Sequence, residues 1–263
     1  MQEFDVEQDR TGERVRTVLV ASQSPPAGQP DFNVAPTKAA PVVLTRAPRG
    51  DADGDPTRQL RLLTWGLVPS WSADVKVGLR MINARAESLL DKSSFARAAA
   101  LRRCLVPADG WYEWQVSPTA LDAKGRPRRQ PFFIHRSDGR PMAMAGLYEF
   151  WRDKSLVPDD PDAWLATYAV ITTAAEPGLD RIHDRQPLVL ERESWQDWLD
   201  PRATDPSAVK AHLEPCEPGR FDAYPVSLAV NSSRNNGAGL LEPLGRSDLI
   251  AAVDPTTGEI IGQ

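Results

Sequence analysis

The stretch Met81–Trp114, MINARAESLLDKSSFARAAALRRCLVPADGWYEW, combines the signals of a helix, a buried strand and a turn. Apolar side chains recur at roughly helical spacing between Leu89 and Leu101 and predict a short helix. The apolar run Cys104–Val106 predicts a buried strand, which ends at a Pro-Ala-Asp-Gly turn. This irregular order of strand and helix signals indicates an α+β fold.

Directly after that turn, Trp111-Tyr112-Glu113-Trp114 places one carboxylate among three large rings. Aromatic side chains exclude water, and exclusion of water raises the pKa of a carboxyl group toward the range of a general acid or base at neutral pH. Periodicity alone supports a second interpretation, in which Glu113 is the exposed residue of a half-buried strand whose aromatic side chains line the core.

Outside the central stretch, short apolar runs bounded by turn residues predict further strands. These runs are Val15–Ala21, Pro41–Thr45, Leu60–Leu67, Pro131–His135, Met142–Trp151, Ala166–Thr173, Pro187–Leu190 and Tyr224–Val230. We expect Pro131–His135 and Met142–Trp151 to be antiparallel strands around the Asp138-Gly139 turn. Glu193–Leu199 is expected to be helical. Val116–Gln130 is expected to be a basic loop.

Many short strands and a few helices predict an α+β fold with a mainly antiparallel, barrel-like β core and flanking helices. No linker divides the sequence cleanly, so a single domain over residues 1–263 is expected. The chain has no apolar run long enough to cross a bilayer and no signal-peptide pattern. A cytoplasmic location is therefore the expectation.

Charge is unevenly distributed along the chain. The net charge of −5 argues against a general nucleic-acid binder. The segment from Lys76 to Arg140, however, carries thirteen Lys and Arg against six Asp and Glu. Such a segment can present a local electropositive groove to phosphates. The alternative is that these basic residues are spread over a solvated surface.

The cysteines and histidines predict neither a disulfide framework nor a metal site. Cys104 and Cys216 form no CxxC pair, and the three histidines are not at metal-binding spacing, so no metal and no cofactor are expected. Two arginines flank Cys104 and could lower the pKa of its thiol. The apolar run that begins there favours a buried, unreactive thiol.

Taken singly, the other candidate site residues each have a structural alternative. Asn83 could satisfy a turn, and Arg85 could simply pair with Glu87. His183, in the string IHDR, could be a structural histidine. Trp71 could belong to the core or lie at the surface, and Thr172 is typical of a strand end.

Several strings of the sequence are distinctive when they are taken together and in order. They are NVAPT (Asn33–Thr37), WGLVPSW (Trp65–Trp71), MINARAE (Met81–Glu87), RRCLVPADGWYEW (Arg102–Trp114), PFFIH with its DGRP turn, AGLYEFW (Ala145–Trp151), ITTAA (Ile171–Ala175), IHDRQPLVL (Ile182–Leu190) and VNSSRNN (Val230–Asn236). In this order they resemble the SRAP family, the SOS-response-associated peptidase domain. The resemblance covers most of the chain, from about residue 33 to residue 236.

The resemblance implies a DNA-damage response protein that binds single-stranded DNA at abasic sites. Members of the family form a covalent DNA–protein crosslink through a cysteine that becomes N-terminal when the initiator Met is removed. Its α-amine forms a Schiff base with the ring-opened sugar, and its thiol then closes a thiazolidine. The resemblance therefore also implies self-processing peptidase and lyase-like capability, and a cytoplasmic, nucleoid-associated location without metal or membrane.

Site roles follow from the same resemblance. Asn83 would orient the amine, and Glu113 would act as acid and base in Met removal and amine activation. His183 would assist sugar ring opening and proton transfers at the Schiff base. Strand-binding residues would be Pro36, Trp71, Arg85, Thr172 and Arg185. Among these, the two arginines would bind phosphates, and the Trp and Pro side chains would stack on or wedge the strand.

The sequence departs from the family pattern at its start. A Met-Cys-Gly-Arg start is expected, but Met1 is followed by Gln2. The motif Phe4–Glu7 then follows almost directly after the start. The nucleophile segment is therefore expected to be missing. Neither Cys104 nor Cys216 has a free α-amine, so the 263-residue chain is expected not to form the thiazolidine.

Two other functions stay open at the level of sequence. One is a non-catalytic module that binds single-stranded DNA and shields lesions. The other is a peptidase acting in trans, for which the sequence offers neither a G-x-S-x-G elbow nor an evident triad.

Overall fold

The computed structural model describes residues 2–12, 29–47, 54–157, 159–160 and 162–262. Its strands are β1 (Gln8–Arg10), β2 (Ala39–Arg46), β3 (Thr57–Trp65), β4 (Asn83–Arg85), β5 (Arg103–Ala108), β6 (Gly110–Leu121), β7 (Pro127–Arg136), β8 (Met142–Arg152), β9 (Trp164–Ala174), β10 (Arg185–Pro187), β11 (Val189–Leu190), β12 (Phe221–Pro225), β13 (Ala252–Val253) and β14 (Ile260–Ile261). The helices are α1 (Ala96–Leu101), α2 (Arg192–Leu199) and α3 (Pro206–Lys210). The strand predicted at Val15–Ala21 lies outside the described residues.

Five strands close into a barrel in the order β3-β2-β5-β8-β9. Neighbours in this order are antiparallel. The closing contact between β3 and β9 is parallel, with Thr64 opposite Thr167 and Trp65 opposite Tyr168. A second, three-stranded sheet of β12, β7 and β6 lies beside the barrel. The α+β fold with a mainly antiparallel, barrel-like core is therefore confirmed.

The segment expected to be a basic loop is instead a hairpin. β6 runs on to Leu121, and β7 begins at Pro127. The prediction of a loop at Val116–Gln130 was wrong because one face of these strands is exposed and charged, which hides their alternation. Asp122 closes the turn by accepting hydrogen bonds from the backbone N–H groups of Lys124 and Arg126.

The expected pairing of Pro131–His135 with Met142–Trp151 was also wrong. β7 pairs with β6 and β12, whereas β8 pairs with β5 and β9. The Asp138-Gly139 turn, with φ of +70° at Gly139, therefore carries the chain from one sheet to the other. Both runs are buried strands, but periodicity does not tell which sheet a buried strand joins.

The ends of two predicted elements also differ from the structure. The last long strand begins at Phe221 and ends at Pro225, and the segment Leu228–Asn231 is a 3-10 turn instead of the end of a strand. The helical pattern from Leu89 to Leu101 is α-helical only from Ala96. The helix predicted at Glu193–Leu199 is confirmed as α2. Within the described residues, no helix is long and apolar enough to cross a membrane.

One buried arginine joins both longer helices to the barrel. Arg103, 5% exposed, donates hydrogen bonds to the carbonyl oxygens of Ala99 and Ala100 at the end of α1. It also donates to the carbonyl oxygens of Trp198 and Asp200 at the end of α2. Because the last carbonyls of a helix have no partner inside it, this guanidinium satisfies the ends of two helices at once.

Candidate active site

Glu113 lies on β6, on the face that the strand turns toward the C-terminal segment. Gln115, two residues further on the same face, donates from Nε2 to the carbonyl oxygens of Arg181 (3.0 Å) and Val253 (2.9 Å). Alternation along a strand places Glu113 and Gln115 on one side. The bond to Arg181 therefore fixes Glu113 beside the segment that carries His183.

His183 follows a short 3-10 turn and precedes β10. Its Nδ1 lies 3.1 Å from the backbone nitrogen of Arg185, which donates to it. The same Nδ1 also lies 3.3 Å from the carbonyl oxygen of Arg185. The same Nδ1 is 3.9 Å from Oε2 of Glu113 and 3.4 Å from Oδ1 of Asp184.

The surroundings of Glu113 make it a group that titrates near neutrality. Burial raises the pKa of its carboxyl group to about 7, the nearby His183 opposes this rise, and Asp184 adds to it. The side chain is 24% exposed, so the group is shielded but still reachable. A carboxyl group with a pKa near 7 can both accept and donate a proton at neutral pH.

The end of β9 carries a second group of predicted site residues. β4 pairs with β9 in parallel, with Asn83 opposite Val170 and Arg85 opposite Thr172. Asn83 and Arg85 are both exposed, on the same side of β4, whereas Thr172 is buried. In the described part of the chain, the guanidinium of Arg85 has no hydrogen-bond or ion-pair partner.

Arg185 already has an anionic partner. Its Nη1 and Nη2 donate to the two carboxylate oxygens of Glu87 at 2.8 and 3.0 Å, and Nη2 also donates to the carbonyl oxygen of Thr172 at 2.6 Å. These hydrogen bonds hold the pKa of Glu87 below its usual value. Glu87 is therefore paired with Arg185, whereas the sequence had suggested a pair with the nearer Arg85.

The two residues predicted to contact the strand, Pro36 and Trp71, both lie on exposed turns. Trp71 is 63% exposed, which agrees with the interpretation that places its indole at the surface. The turn at Pro36 is tied to the end of β3 by a hydrogen bond from the N–H of Thr37 to the carbonyl oxygen of Trp65 (2.8 Å). A backbone φ of +77° at Thr37 marks this turn as sharp.

The predicted residues thus fall into connected groups. Glu113 and His183 face each other, and the hydrogen bond from the N–H of Arg185 to His183 joins this pair to the arginines at the end of β9. Asn83 lies two residues before Arg85 on β4. Within the described residues, Asn83 makes no hydrogen bond to Glu113 or His183.

A buried asparagine joins two of the quoted strings, and no local pattern in the sequence predicted its role. Nδ2 of Asn33 lies within hydrogen-bond distance of the carbonyl oxygens of Val230 (3.2 Å), Ser232 (3.0 Å) and Asn235 (3.3 Å). Lys38, 1% exposed, donates to the carbonyl oxygen of Asn33 on the other side. The signal was present as two asparagine-containing strings, but spacing along the chain does not reveal that they touch.

The buried thiol of Cys104 does not resemble a reactive one. Cys104 is fully buried, and burial raises the pKa of its thiol well above the usual value. The prediction of a buried thiol is therefore confirmed. Cys216 is half-buried, and its Sγ lies 3.8 Å from the carbonyl oxygen of Val189. Among the described residues, no group of three His, Cys, Asp or Glu could hold a metal ion.

The barrel, its side sheet and the Glu113–His183 pair occur in a chain whose family is shown by its sequence. Residues 3–233 match the family model described as SOS response associated peptidase (SRAP), and the chain belongs to this family.

Two individual proteins of similar sequence can be named. The chain is 38% identical over 213 residues to the abasic site processing protein YoqW of Bacillus subtilis, covering 81% of this chain and 86% of YoqW. It is 31% identical over 278 residues to the abasic site processing protein HMCES of Mus musculus, covering 94% of this chain and 73% of HMCES.

Solved structures agree with this assignment at the level of the fold. A protein from Bacteroides thetaiotaomicron superposes with a TM-score of 0.62 at 24% identity, covering 79% of this chain and 82% of that one. A phage-related protein from Bordetella bronchiseptica superposes with a TM-score of 0.54 at 29% identity, covering 77% of this chain and 84% of that one.

Proposed function

We propose that this protein binds single-stranded DNA at abasic sites and that its complete form, carrying an N-terminal cysteine, crosslinks to them through a thiazolidine. The observation that carries the proposal is the Glu113–His183 pair, in which a carboxyl group with a pKa of about 7 lies 3.9 Å from an imidazole. The names of the relatives, which are abasic site processing proteins, support the choice of substrate.

The acid–base pair suits the chemistry of an amine and an aldehyde. Glu113 in its ionised form accepts a proton from the cysteine α-ammonium, and the free amine attacks the aldehyde carbon of the opened sugar. Loss of water gives the imine, and addition of the thiol to the imine carbon closes the ring. In this mechanism, His183 assists ring opening of the sugar and the departure of water, and Asn83 orients the amine.

The remaining residues position the strand. Arg85 and Arg185 bind phosphates, because a guanidinium presents a fork of donors that matches phosphate oxygens. Trp71 and Pro36 stack against or wedge the flanking bases, and a base–ring stack contributes about 1–3 kcal/mol. Thr172 holds Arg185 in place through its carbonyl oxygen. Because an abasic nucleotide has no base to unstack, its sugar enters the pocket at little cost.

Binding and covalent capture can be tested separately. We expect the 263-residue chain to bind a single strand with a stable abasic analogue more tightly than the matching duplex, in fluorescence anisotropy titrations. Binding should weaken with salt. With a natural abasic site, we expect no heat-stable band on a denaturing gel, because neither internal cysteine has an α-amine. A heat-stable band from this chain would contradict the assignment of the nucleophile.

A shielding module that binds the lesion without bond formation is the second candidate. The positions of the two cysteines favour it for the 263-residue chain itself. The same gel separates the two functions when Met-Cys-Gly-Arg is placed before the sequence. A covalent product that appears only in the extended protein supports crosslinking. Salt-sensitive binding without product in both proteins supports shielding alone.

Replacing Glu87 with glutamine is expected to increase affinity for single-stranded DNA. In the free protein, the Glu87 carboxylate accepts hydrogen bonds from the Arg185 donors that we assign to a DNA phosphate. The negative charge of Glu87 also repels the phosphate backbone of the DNA. Removal of this exposed charge should tighten binding about threefold at low salt and less at high salt. Anisotropy titrations check this, with Glu242→Gln as a control for an exposed glutamate. Weaker binding by Glu87→Gln would instead make Glu87 a residue that positions Arg185.

A further inference from the structure

The hairpin formed by β6 and β7 carries a basic surface for which the proposed site has no use. We call Val116–Arg129 the β6–β7 arm. Its exposed or half-exposed cations are Lys124, Arg126, Arg128 and Arg129. The one acidic residue of the arm, Asp122, forms an ion pair with Arg126 at 2.9 Å. The arm therefore keeps a positive charge after its own ion pair is counted.

Three of these cations are available to an outside anion. Among the described residues, Lys124, Arg128 and Arg129 have no side-chain hydrogen-bond or ion-pair partner. The Nε of Arg128 is buried and unpaired as well. Val116 and Leu121, 49% and 63% exposed, add apolar contact surface to the same arm.

The base of the arm is held in place on its inner face. Ser117 donates to the carbonyl oxygen of Ala251, and the N–H of Val253 donates to Oε1 of Gln115. These bonds fasten the inner face of β6 to the C-terminal segment. The outer face, on which Val116 lies opposite Arg129, is left to solvent. A fixed arm binds a partner with less loss of conformational entropy than a mobile loop does.

The arm continues the strand that carries Glu113. A strand rises about 3.3 Å per residue, so Leu121 lies roughly 25 Å along β6 from the carboxylate of Glu113. A ligand held at both Glu113, on the inner face, and the outer cations of the arm is therefore long, extended and negatively charged, and it passes around the edge strand β6. From this placement and charge, we infer that the β6–β7 arm binds the phosphate backbone of single-stranded nucleic acid flanking the lesion. This inference rests on the proposed function.

The test compares DNA length in the protein with and without the arm's charge. The variant is Lys124→Gln/Arg128→Gln/Arg129→Gln, titrated with strands of about 7 and about 21 nucleotides that carry a central abasic analogue. We expect affinity for the long strand to fall roughly tenfold and the slope of log K against log salt to decrease by about 2. Affinity for the short strand should be unchanged, because that strand does not reach the arm.

Two further proteins make the result specific. Arg202→Gln/Lys210→Gln/Arg246→Gln removes the same charge from exposed positions elsewhere and should leave length dependence unchanged. Arg128→Lys/Arg129→Lys keeps the charge and should restore most of the affinity. Far-UV circular dichroism melts should show that each variant is folded.

The possible failures are distinguishable. An unmodified chain that shows no preference for the abasic strand contradicts the proposed function. An equal gain from strand length in the unmodified chain and the arm variant overturns the role of the arm. If the arm variant and the matched control lose the same affinity for the long strand, the role of the arm is also overturned. Such a result would reflect only the change in net charge. If the unmodified chain gains nothing from a longer strand, the inference is also wrong.

Discussion

Replacing Glu113 with glutamine is expected to stabilise the folded protein by about 2 kcal/mol at about pH 8 and to leave its stability nearly unchanged at about pH 4. The ordinary pKa of this carboxyl group is 4.5, and burial raises the pKa in the folded state to about 7. The folded protein therefore binds the proton more tightly than the unfolded chain. Stability contributed by the protonated group is present below pH 4.5 and is lost as pH rises through 7.

The magnitude takes the surroundings of the carboxylate into account. A shift of this size corresponds to about 3 kcal/mol, which we reduce because the side chain is partly exposed and the variant loses its attraction to His183. Urea unfolding at both pH values measures the effect, and exposed Glu242→Gln is the control. A variant that is less stable than the parent at about pH 8 would show that Glu113 is held there by a favourable ion pair.

The same Glu113→Gln substitution that should stabilise the fold is also expected to slow the proposed reaction. In a protein with Met-Cys-Gly-Arg placed before the sequence, we expect Glu113→Gln to slow crosslink formation by about 10²–10⁴-fold, since glutamine cannot accept the amine proton. Single-turnover gels measure the rate. A gain in stability together with a loss of rate is typical of groups kept for function. An unchanged rate would remove Glu113 from the mechanism.

Replacing Arg103 with methionine is expected to destabilise the protein by about 4 kcal/mol. The substitution keeps most of the side-chain volume but removes this donor from the carbonyl oxygens of Ala99, Ala100 and Trp198, and leaves that of Asp200 with the N–H of Ala203 alone. The guanidinium also stacks over Trp198 at 5.7 Å, and that contact is lost. For a chain of this length, the melting temperature should fall by about 10 °C.

The control for this prediction is Arg97→Met, which removes an exposed arginine from α1, one of the two helices that Arg103 contacts. It should change the free energy of unfolding by less than about 0.5 kcal/mol. If Arg103→Met and Arg97→Met are equally stable, water replaces the guanidinium at the helix ends, and the joint between helices and barrel depends on apolar packing alone.

The core of the fold could be predicted because its strands are apolar runs bounded by turn residues. Runs such as Pro41–Thr45 and Ala166–Thr173 lie within β2 and β9. The sequence did not predict which strands pair with one another. β7 and β8 are neighbours in sequence but lie in different sheets. The outer part of the hairpin was missed because its exposed face gives no apolar alternation.

In the candidate site, too, local properties could be predicted from the sequence, whereas contacts between distant segments could not. The aromatic neighbours of Glu113 indicated a raised pKa from sequence alone, because burial can be inferred from the rings. The ion pair between Arg185 and Glu87 spans 98 residues along the chain and joins β10 to the 3-10 turn after β4. The carbonyl oxygens that Asn33 reaches lie about 200 residues away. Contacts of this range depend on the closed barrel, which no local pattern specifies.

The parallel seam between β3 and β9 has a consequence for biosynthesis. Residues opposite each other in this seam are separated by more than a hundred positions. A ribosome therefore has to synthesise about two thirds of the polypeptide before the barrel can close. Until then, the emerging chain exposes the end of β3 at Thr64 and Trp65, which β1 does not cover, and nascent chains can associate there. Translation arrested before Trp164 would release a product for proteolysis rather than a smaller working domain.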